Sequence, residues 1–231
     1  MEEKNTQGGF WETTKTVIYA VLIALFIRTV FAEPFSIPSG SMIPTLLVGD
    51  YLFVSKMSYG YSKHSLPLSM PLIKGRIFYT QPERGDVIVF KMPSDNKTDY
   101  IKRLIGLPGD KIQMKDGRLY INGAIVDRKS EGEYVLRDAS GKAMRFEKYT
   151  ETLPNGKQHP ILEASDEGMY DNTQEFTVPE DHFFMMGDNR DSSMDSRSVK
   201  VGFVPKNNLV GKAKFLFFSH DDSAAWWQVW K

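Results

Sequence analysis

The chain has 231 residues, enough to bury one sizeable core or a core carrying an insertion. Its 29 basic and 29 acidic side chains balance, so nothing in the charge points to nucleic acid as a partner. Cysteine is absent and the four histidines are scattered without HExxH-like pairing, which excludes disulfides, thiol catalysis and thiolate metal sites; no metal or cofactor is expected.

The first apolar run is "VIYAVLIALFIRTVFA", residues 17–32, broken only by Arg28 and Thr29. As a helix it spans roughly 24 Å, somewhat short of a hydrocarbon core of about 30 Å. Phe10 and Trp11 suit one interface, Arg28 can snorkel toward the other, and Glu33-Pro34 favours an end to the helix. A membrane anchor is the expected reading. Its rivals are a cleaved signal peptide, suggested by "VFA" before Glu33 but at odds with Arg28, and a buried core helix.

Beyond the run, β signals dominate. Gly-Asp pairs recur at Gly49-Asp50, Gly85-Asp86, Gly109-Asp110 and Gly187-Asp188, and the first three open the strand-like runs "YLFV", "VIVF" and "KIQM". "KIQMKDGRLYI" reads as a hairpin turning at Asp116-Gly117. Residues 58–82 read as a long loop. Residues 128–176 are polar with short alternating segments, and read as an inserted β subdomain with apolar faces from Tyr134, Val135, Leu136, Phe146 and Tyr149. "NLVGKAKFLFF" returns to strand character, and residues 222–231 form a tail holding Trp226, Trp227 and Trp230, either docked on the core or anchored at a membrane interface.

Three stretches are candidates for chemistry. In "EPFSIPSGSMIPTLLVGD", residues 33–50, Ser41 has a second hydroxyl at Ser39, a neighbouring glycine and the apolar pair Met42-Ile43; such a serine is ordinarily a turn residue. In "DYIKRLIGLPGD", residues 99–110, strand alternation puts Tyr100, Lys102 and Leu104 on one face and Ile101, Arg103 and Ile105 on the other, so one of the two cations faces the interior. An inward Lys102 would lose its proton more easily and become a base, which arginine cannot do; a snorkelling surface lysine is the plainer alternative. In "MGDNRDSSMDSR", residues 186–197, Asp188, Asn189, Arg190, Asp191, Asp195 and Arg197 can brace one another and hold Ser193. His182 just upstream keeps a Ser-His-Asp arrangement with Ser41 open.

In this order behind an apolar segment, the stretches resemble the bacterial type I signal peptidases (leader peptidases), serine proteases with a Ser-Lys dyad. "PSGSMIPTL" is similar to the family's nucleophile box, "RGDVIVFK" to the strand leading inward, "DYIKRLIGLPGD" to the lysine box and "GDNRDSSMDSR" to the final box, over residues 33–127 and 177–211. The resemblance implies a mostly β protein: an antiparallel coiled-sheet catalytic domain over 33–127 and 177–221, the 128–176 insertion, and one transmembrane helix behind a cytoplasmic segment 1–16. It implies Ser41 as nucleophile, Lys102 as general base, Ser39 in the oxyanion hole, a bond from Ser193 to Lys102, and bracing by Asp195 and Arg197. Pockets for small side chains map onto Phe35, Ile37, Met42, Leu46, Leu52, Val89, Asp99, Tyr100 and Ile101. The implied activity is removal of signal peptides from secretory preproteins after a small-x-small motif. The implied setting is the outer side of the bacterial inner (plasma) membrane, with the lipid bilayer as second partner and the protein a monomer. Two other readings stay open: a soluble Ser-Lys self-cleaving repressor of related fold, and an inactive relative that binds signal sequences. The family's frequent second membrane segment and the disulfide of some members are missing here.

Overall fold

The computed structural model describes residues 6–137 and 142–219; the tryptophan-rich tail lies outside them. A single long helix, Thr6–Val30, opens the fold and measures about 37 Å over its 25 residues. It begins at Thr6 rather than Val17, because Thr13, Thr14 and Thr16 turn their hydroxyls back onto the carbonyls of Gly9, Phe10 and Glu12 and so hide their polarity. It closes at Val30 rather than Ala32, since Ala32–Ser36 leaves as a strand paired with Tyr51–Ser55. Within it, Gly9–Val30 has a mean hydropathy of 1.5 and none of its most apolar window is buried, so a core helix is not what it forms. By length and composition it can cross a bilayer.

The rest is mostly β. Seven antiparallel strands form the main sheet in the order 32–36, 51–55, 209–218, 87–91, 99–106, 182–186, 204–205. Register shifts at Leu209/Gly211, Ala213/Phe215, Leu216/Phe218 and Phe184/Met185 bend it. Pro34 is tolerated because its strand is the outermost one, where a missing N–H breaks no ladder.

Three Gly-Asp turns feed this architecture by one device. Gly49, Gly85 and Gly109 take φ of 94°, 93° and 85°, and each following aspartate is buried and accepts the amide three residues back, from Leu47, Glu83 and Leu107. The hairpin of 111–115 and 118–121 turns on Asp116 and Gly117 with φ of 48° and 68°. Within 58–82 a short ladder of 61–62 with 76–77 interrupts the loop, and Arg76 bridges to the carbonyls of Tyr59, Gly60 and Lys206.

The central strand Asp99–Gly106 is covered on both faces. Leu104 packs with Ile88, Phe90, Phe183 and Met185, whereas Ile101 joins Val87 and Val89, and Ile105 joins Ile112, Met114 and Phe184. Both Lys102 and Arg103 are therefore buried, where alternation had sent only one cation inward.

Residues 127–137, 143–152 and 158–163 build a separate three-stranded antiparallel sheet. It is not a free appendage. Phe146 and Leu162 form a small apolar cluster with Ile43, three residues from the start of the turn that carries Ser41. Leu162 also bonds through its N–H to the Asp188 carbonyl and through its carbonyl to the Arg190 N–H. We expect Phe146→Ala to cost about 3 kcal/mol by emptying that cluster, read as a lower denaturant midpoint.

Candidate active site

The loop that carries Ser41 is closed at its base by paired backbone bonds, Ile37 N–H to Asp50 O and Gly49 N–H to Ile37 O, both 2.8 Å. Pro38 and Pro44 flank it, the Ile43–Pro44 bond being cis, and Gly40–Met42 makes one 3-10 turn with Ser39 at its N-terminal cap. Met42 is fully buried and anchors the turn, leaving Ser41 6% exposed. From outside, Asn189 clasps the turn twice: its backbone N–H reaches Ser41 O at 3.1 Å and its side-chain amide reaches Gly40 O at 3.2 Å.

Lys102 comes from the middle of strand 99–106, opposite Ile88. Its Nζ lies 2.6 Å from Ser41 Oγ and 2.9 Å from its neighbour's carbonyl, Ile101 O, with the Tyr100 ring 5.3 Å away. No carboxylate of the described residues makes an ion pair with it. Burial pushes its pKa from the usual 10.5 down to about 8, against the opposing pull of Asp195 and Asp188. That pull is weak because each acid has its own arginine. Asp195 takes two 2.9 Å bonds from Arg197 and one from the Gly187 N–H. Asp188 takes Arg103 bidentately at 2.8 and 2.6 Å and the Thr45 hydroxyl. Burial disfavours the ionised form of both acids; the arginines outweigh it and hold both below the usual carboxylate range.

Ser39 Oγ lies 3.5 Å from Ser41 Oγ. Ser193 is buried and stands near the Asp195 carboxylate, helping to keep it ionised, but it reaches hydrogen-bond geometry with no described residue. The expected bond from Ser193 to Lys102 is not made: the lysine contacts Ser41 and the Ile101 carbonyl, and Ser193 Oγ has no hydrogen-bond partner among the described residues. Gly187 differs from the other Gly-Asp glycines. A Cβ there would fall 2.2 Å from Ser193 Oγ and 2.6 Å from Ser41 O, so close packing and not φ demands it.

A cleft of about 380 Å³ opens over the serine and lysine, lined by Pro38, Ser39, Asp99, Tyr100, Ile101, Ser192 and Met194, among others. Ile37, Met42, Leu46, Leu52 and Val89 do not line it: each is at most 2% exposed and they pack together as core, with Phe35 against them. Ile101 belongs to both groups and joins the cleft to that core. On its far side, strand 99–106 is paired with 182–186 only from Arg103 onward, so Asp99, Tyr100 and Ile101 have no strand partner there among the described residues. His182 sits at the opposite end of its strand from the site and bonds through Nδ1 to Glu180 O at 2.8 Å.

Sequence reasoning assigned no role to Thr45, and it treated Arg103 only as the alternative to Lys102. The signal available was two cations side by side in one strand and an excess of acids in 186–197. What this constellation offers chemically is a hydroxyl bonded to an amine that readily sheds its proton, beside an open cleft.

Comparison with known proteins agrees in kind. The family described as signal peptidase, peptidase S26, matches residues 10–218. Signal peptidase I of Rickettsia canadensis is 46% identical over 231 residues, covering 96% of this chain and 84% of that protein. Signal peptidase I of Rickettsia massiliae is 45% identical over 239 residues, covering 98% and 87%. A crystal structure of a signal peptidase I from Enterococcus faecalis is 28% identical, covers 58% of this chain and 97% of that one, and superposes with a TM-score of 0.33.

The packing at Gly187 makes a direct prediction. Gly187→Ala should destabilise the chain by about 1–3 kcal/mol through overpacking. Adding Ser193→Ala should not rescue it, because that residue's Cβ and the Ser41 carbonyl remain 2.5 and 2.6 Å from the new methyl. Denaturant midpoints of the two variants check this.

Proposed function

The chain belongs to the signal peptidase family, peptidase S26, serine endopeptidases that remove signal peptides, and we propose that it does so with Ser41 as nucleophile and Lys102 as general base. The observation that carries the assignment is the 2.6 Å contact of Lys102 Nζ with Ser41 Oγ in a buried site where no carboxylate pairs with the lysine. The neutral amine accepts the Ser41 proton as Oγ attacks the scissile carbonyl. The resulting ammonium passes that proton to the departing amine, the new N-terminus of the mature protein. The signal peptide is left as an ester on Ser41. Water, deprotonated by the same amine, then frees it as a carboxylate.

The Ser41 backbone N–H and the Ser39 hydroxyl are proposed to hold the oxyanion. Asp195 and Arg197 brace the site, and Ser193 fills the space behind it. The preprotein is proposed to lie extended along that edge of Asp99, Tyr100 and Ile101, its backbone paired there by strand addition. Its small side chains at −1 and −3 are proposed to face the floor of the cleft at Ile101, behind which Phe35, Ile37, Met42, Leu46, Leu52 and Val89 are packed. Because the core behind that floor is closed, only small side chains find room, which is proposed to select a small-x-small motif by exclusion. The uncovered helix Gly9–Val30 supports a single-pass anchor; the bacterial inner membrane, a cytoplasmic N-terminal segment ahead of the span and a monomeric catalytic part on the outer side are proposed with it.

Ser41→Ala and Lys102→Ala should each lower turnover of a preprotein by roughly 10³-fold or more. Lys102→Arg should be equally inactive, since a guanidinium stays protonated. Product masses from purified protein and preprotein give the readout, and turnover retained in any of the three rejects the dyad.

The pH profile tests the same assignment separately. The active form is the deprotonated lysine, so kcat/KM should climb about tenfold per unit below its pKa of about 8 and level off above it. A rise centred near the ordinary histidine pKa of about 6.5 would point to another base.

A further inference from the structure

A second cluster of ionisable groups lies outside the Ser41 site. Glu163 ends the strand 158–163, Asp171 follows in the next loop, and Asp191 comes directly after Arg190. One carboxylate oxygen from each lies within 4.8 Å of the others. Glu163 is 3% exposed and Asp171 not at all. Yet neither Glu163 oxygen and not Asp171 Oδ1 accepts any hydrogen bond among the described residues. The nearest cation to Glu163 is Arg128 at 3.6 Å, shared with Asp166 at 3.3 Å.

The surrounding backbone is arranged around these acids. Asp171 Oδ2 takes the Gly168 N–H, and Asp191 Oδ2 takes the amides of Ala164 and Ser165 at 2.6 and 3.1 Å. At Gly168 a Cβ would come within 2.7 Å of Asp191 Oδ1 and 3.0 Å of Asp171 Oδ2, so the chain is drawn hard against the carboxylates. Burial, aided by the mutual repulsion of the acids and opposed by Arg190 and Arg128, pushes Glu163 up to about 8; burial raises Asp171 also. Buried acids with open lone pairs are unfavourable unless something positive meets them.

We propose that Glu163, Asp171 and Asp191 bind one divalent, oxygen-seeking cation, Ca²⁺ by preference, which fastens the 163–171 loop to the segment carrying Asp188 to Arg197. The donors are all carboxylate oxygens, the choice of a hard cation, with no imidazole or thiolate to draw zinc or copper. Ca²⁺ holds oxygens at about 2.3–2.6 Å and so bridges opposite ligands up to about 5 Å apart, whereas Mg²⁺ spans only about 4.2 Å. The three ligand oxygens lie within 4.8 Å of one another, inside the reach of Ca²⁺, and Mg²⁺ besides gives up its waters reluctantly. Water and loop carbonyls complete its shell, and Arg128 is released to Asp166. The cation is structural, and no step of peptide cleavage passes through it.

The test uses the full chain in detergent micelles, stripped with EDTA and titrated with CaCl₂ by calorimetry. One ion per chain should bind, and at a hundredfold excess over Kd the melting temperature should rise by roughly 5–10 °C. Glu163→Gln and Asp171→Asn should each weaken binding at least tenfold, while Asp181→Asn, a distant exposed carboxylate, leaves it unchanged. Both variants put a neutral side chain of nearly the same shape in place of a buried acid, and so are expected to fold without the ion. Tb³⁺ supplies a readout that leaves the ligands intact: its emission, sensitised by Tyr170 beside Asp171, should be displaced by Ca²⁺ and dimmed by Tyr170→Phe. Identical melting in Ca²⁺ and EDTA, wild-type binding by Asp171→Asn, or undimmed emission from Tyr170→Phe each overturns the site. An equal shift with MgCl₂ overturns the preference for Ca²⁺.

Discussion

The contact between Lys102 and Ser41 depends on a lysine that can be neutral inside a protein, and most of the surrounding structure serves that condition. An ammonium group taken out of water is disfavoured, so burial makes the amine available. A single unpaired carboxylate beside it would reverse the effect by Coulomb attraction. Two acids do stand near, Asp188 and Asp195, and both are fully buried. Their charge is answered by Arg103 and Arg197 at bonding distance, so the lysine feels a pair in each case and not a lone anion.

This explains why so many charges are buried in so small a region. Arg103–Asp188, Arg197–Asp195 and Arg190–Glu151 are all nearly inaccessible. Buried pairs of this kind contribute little net stability, because desolvating both partners offsets their attraction, but breaking one leaves an uncompensated charge. Their effect here is positional. Arg103 joins the lysine strand to the final box through Asp188, Thr45 brings the nucleophile loop to the same carboxylate, and Arg190 extends the tie to Glu151 of the inserted sheet. A charged group with a directional partner fixes geometry more sharply than apolar contact does.

The inserted sheet is accordingly a buttress. Its strand 158–163 runs beside Asn189, the residue whose amides clasp the Ser41 turn, and its Phe146 and Leu162 pack on Ile43 behind that turn. Displacement of the insertion therefore reaches the nucleophile through two short routes, one polar and one apolar. The proposed cation at Glu163, Asp171 and Asp191 lies at the end of the same strand, where the loop that follows it returns to the final box.

What the sequence determined by itself was local. Asp116-Gly117 dictates a tight hairpin turn, glycine before aspartate dictates three strand entrances, and a long apolar run dictates a helix; each needs only neighbours in the chain. The likeness of four short stretches to one family was also legible, and it singled out Ser41 and Lys102. The beginning of the helix was missed because threonine hydroxyls satisfied by carbonyls four residues back look polar on paper. Tertiary structure alone decided that Arg103 is as buried as Lys102, since a strand covered on both faces gives alternation no solvent side to indicate. It decided that Gly187 is needed for closeness and not for φ, and that Ser193 faces Gly187 and Asp195 without bonding the lysine. It also placed Glu163, Asp171 and Asp191 together across 28 residues of chain. The physical reason is the same in each case. Short-range backbone preferences act between sequence neighbours, whereas the partner of a buried charge is whichever group the topology brings within a few ångströms, and that is written in no single stretch of the chain.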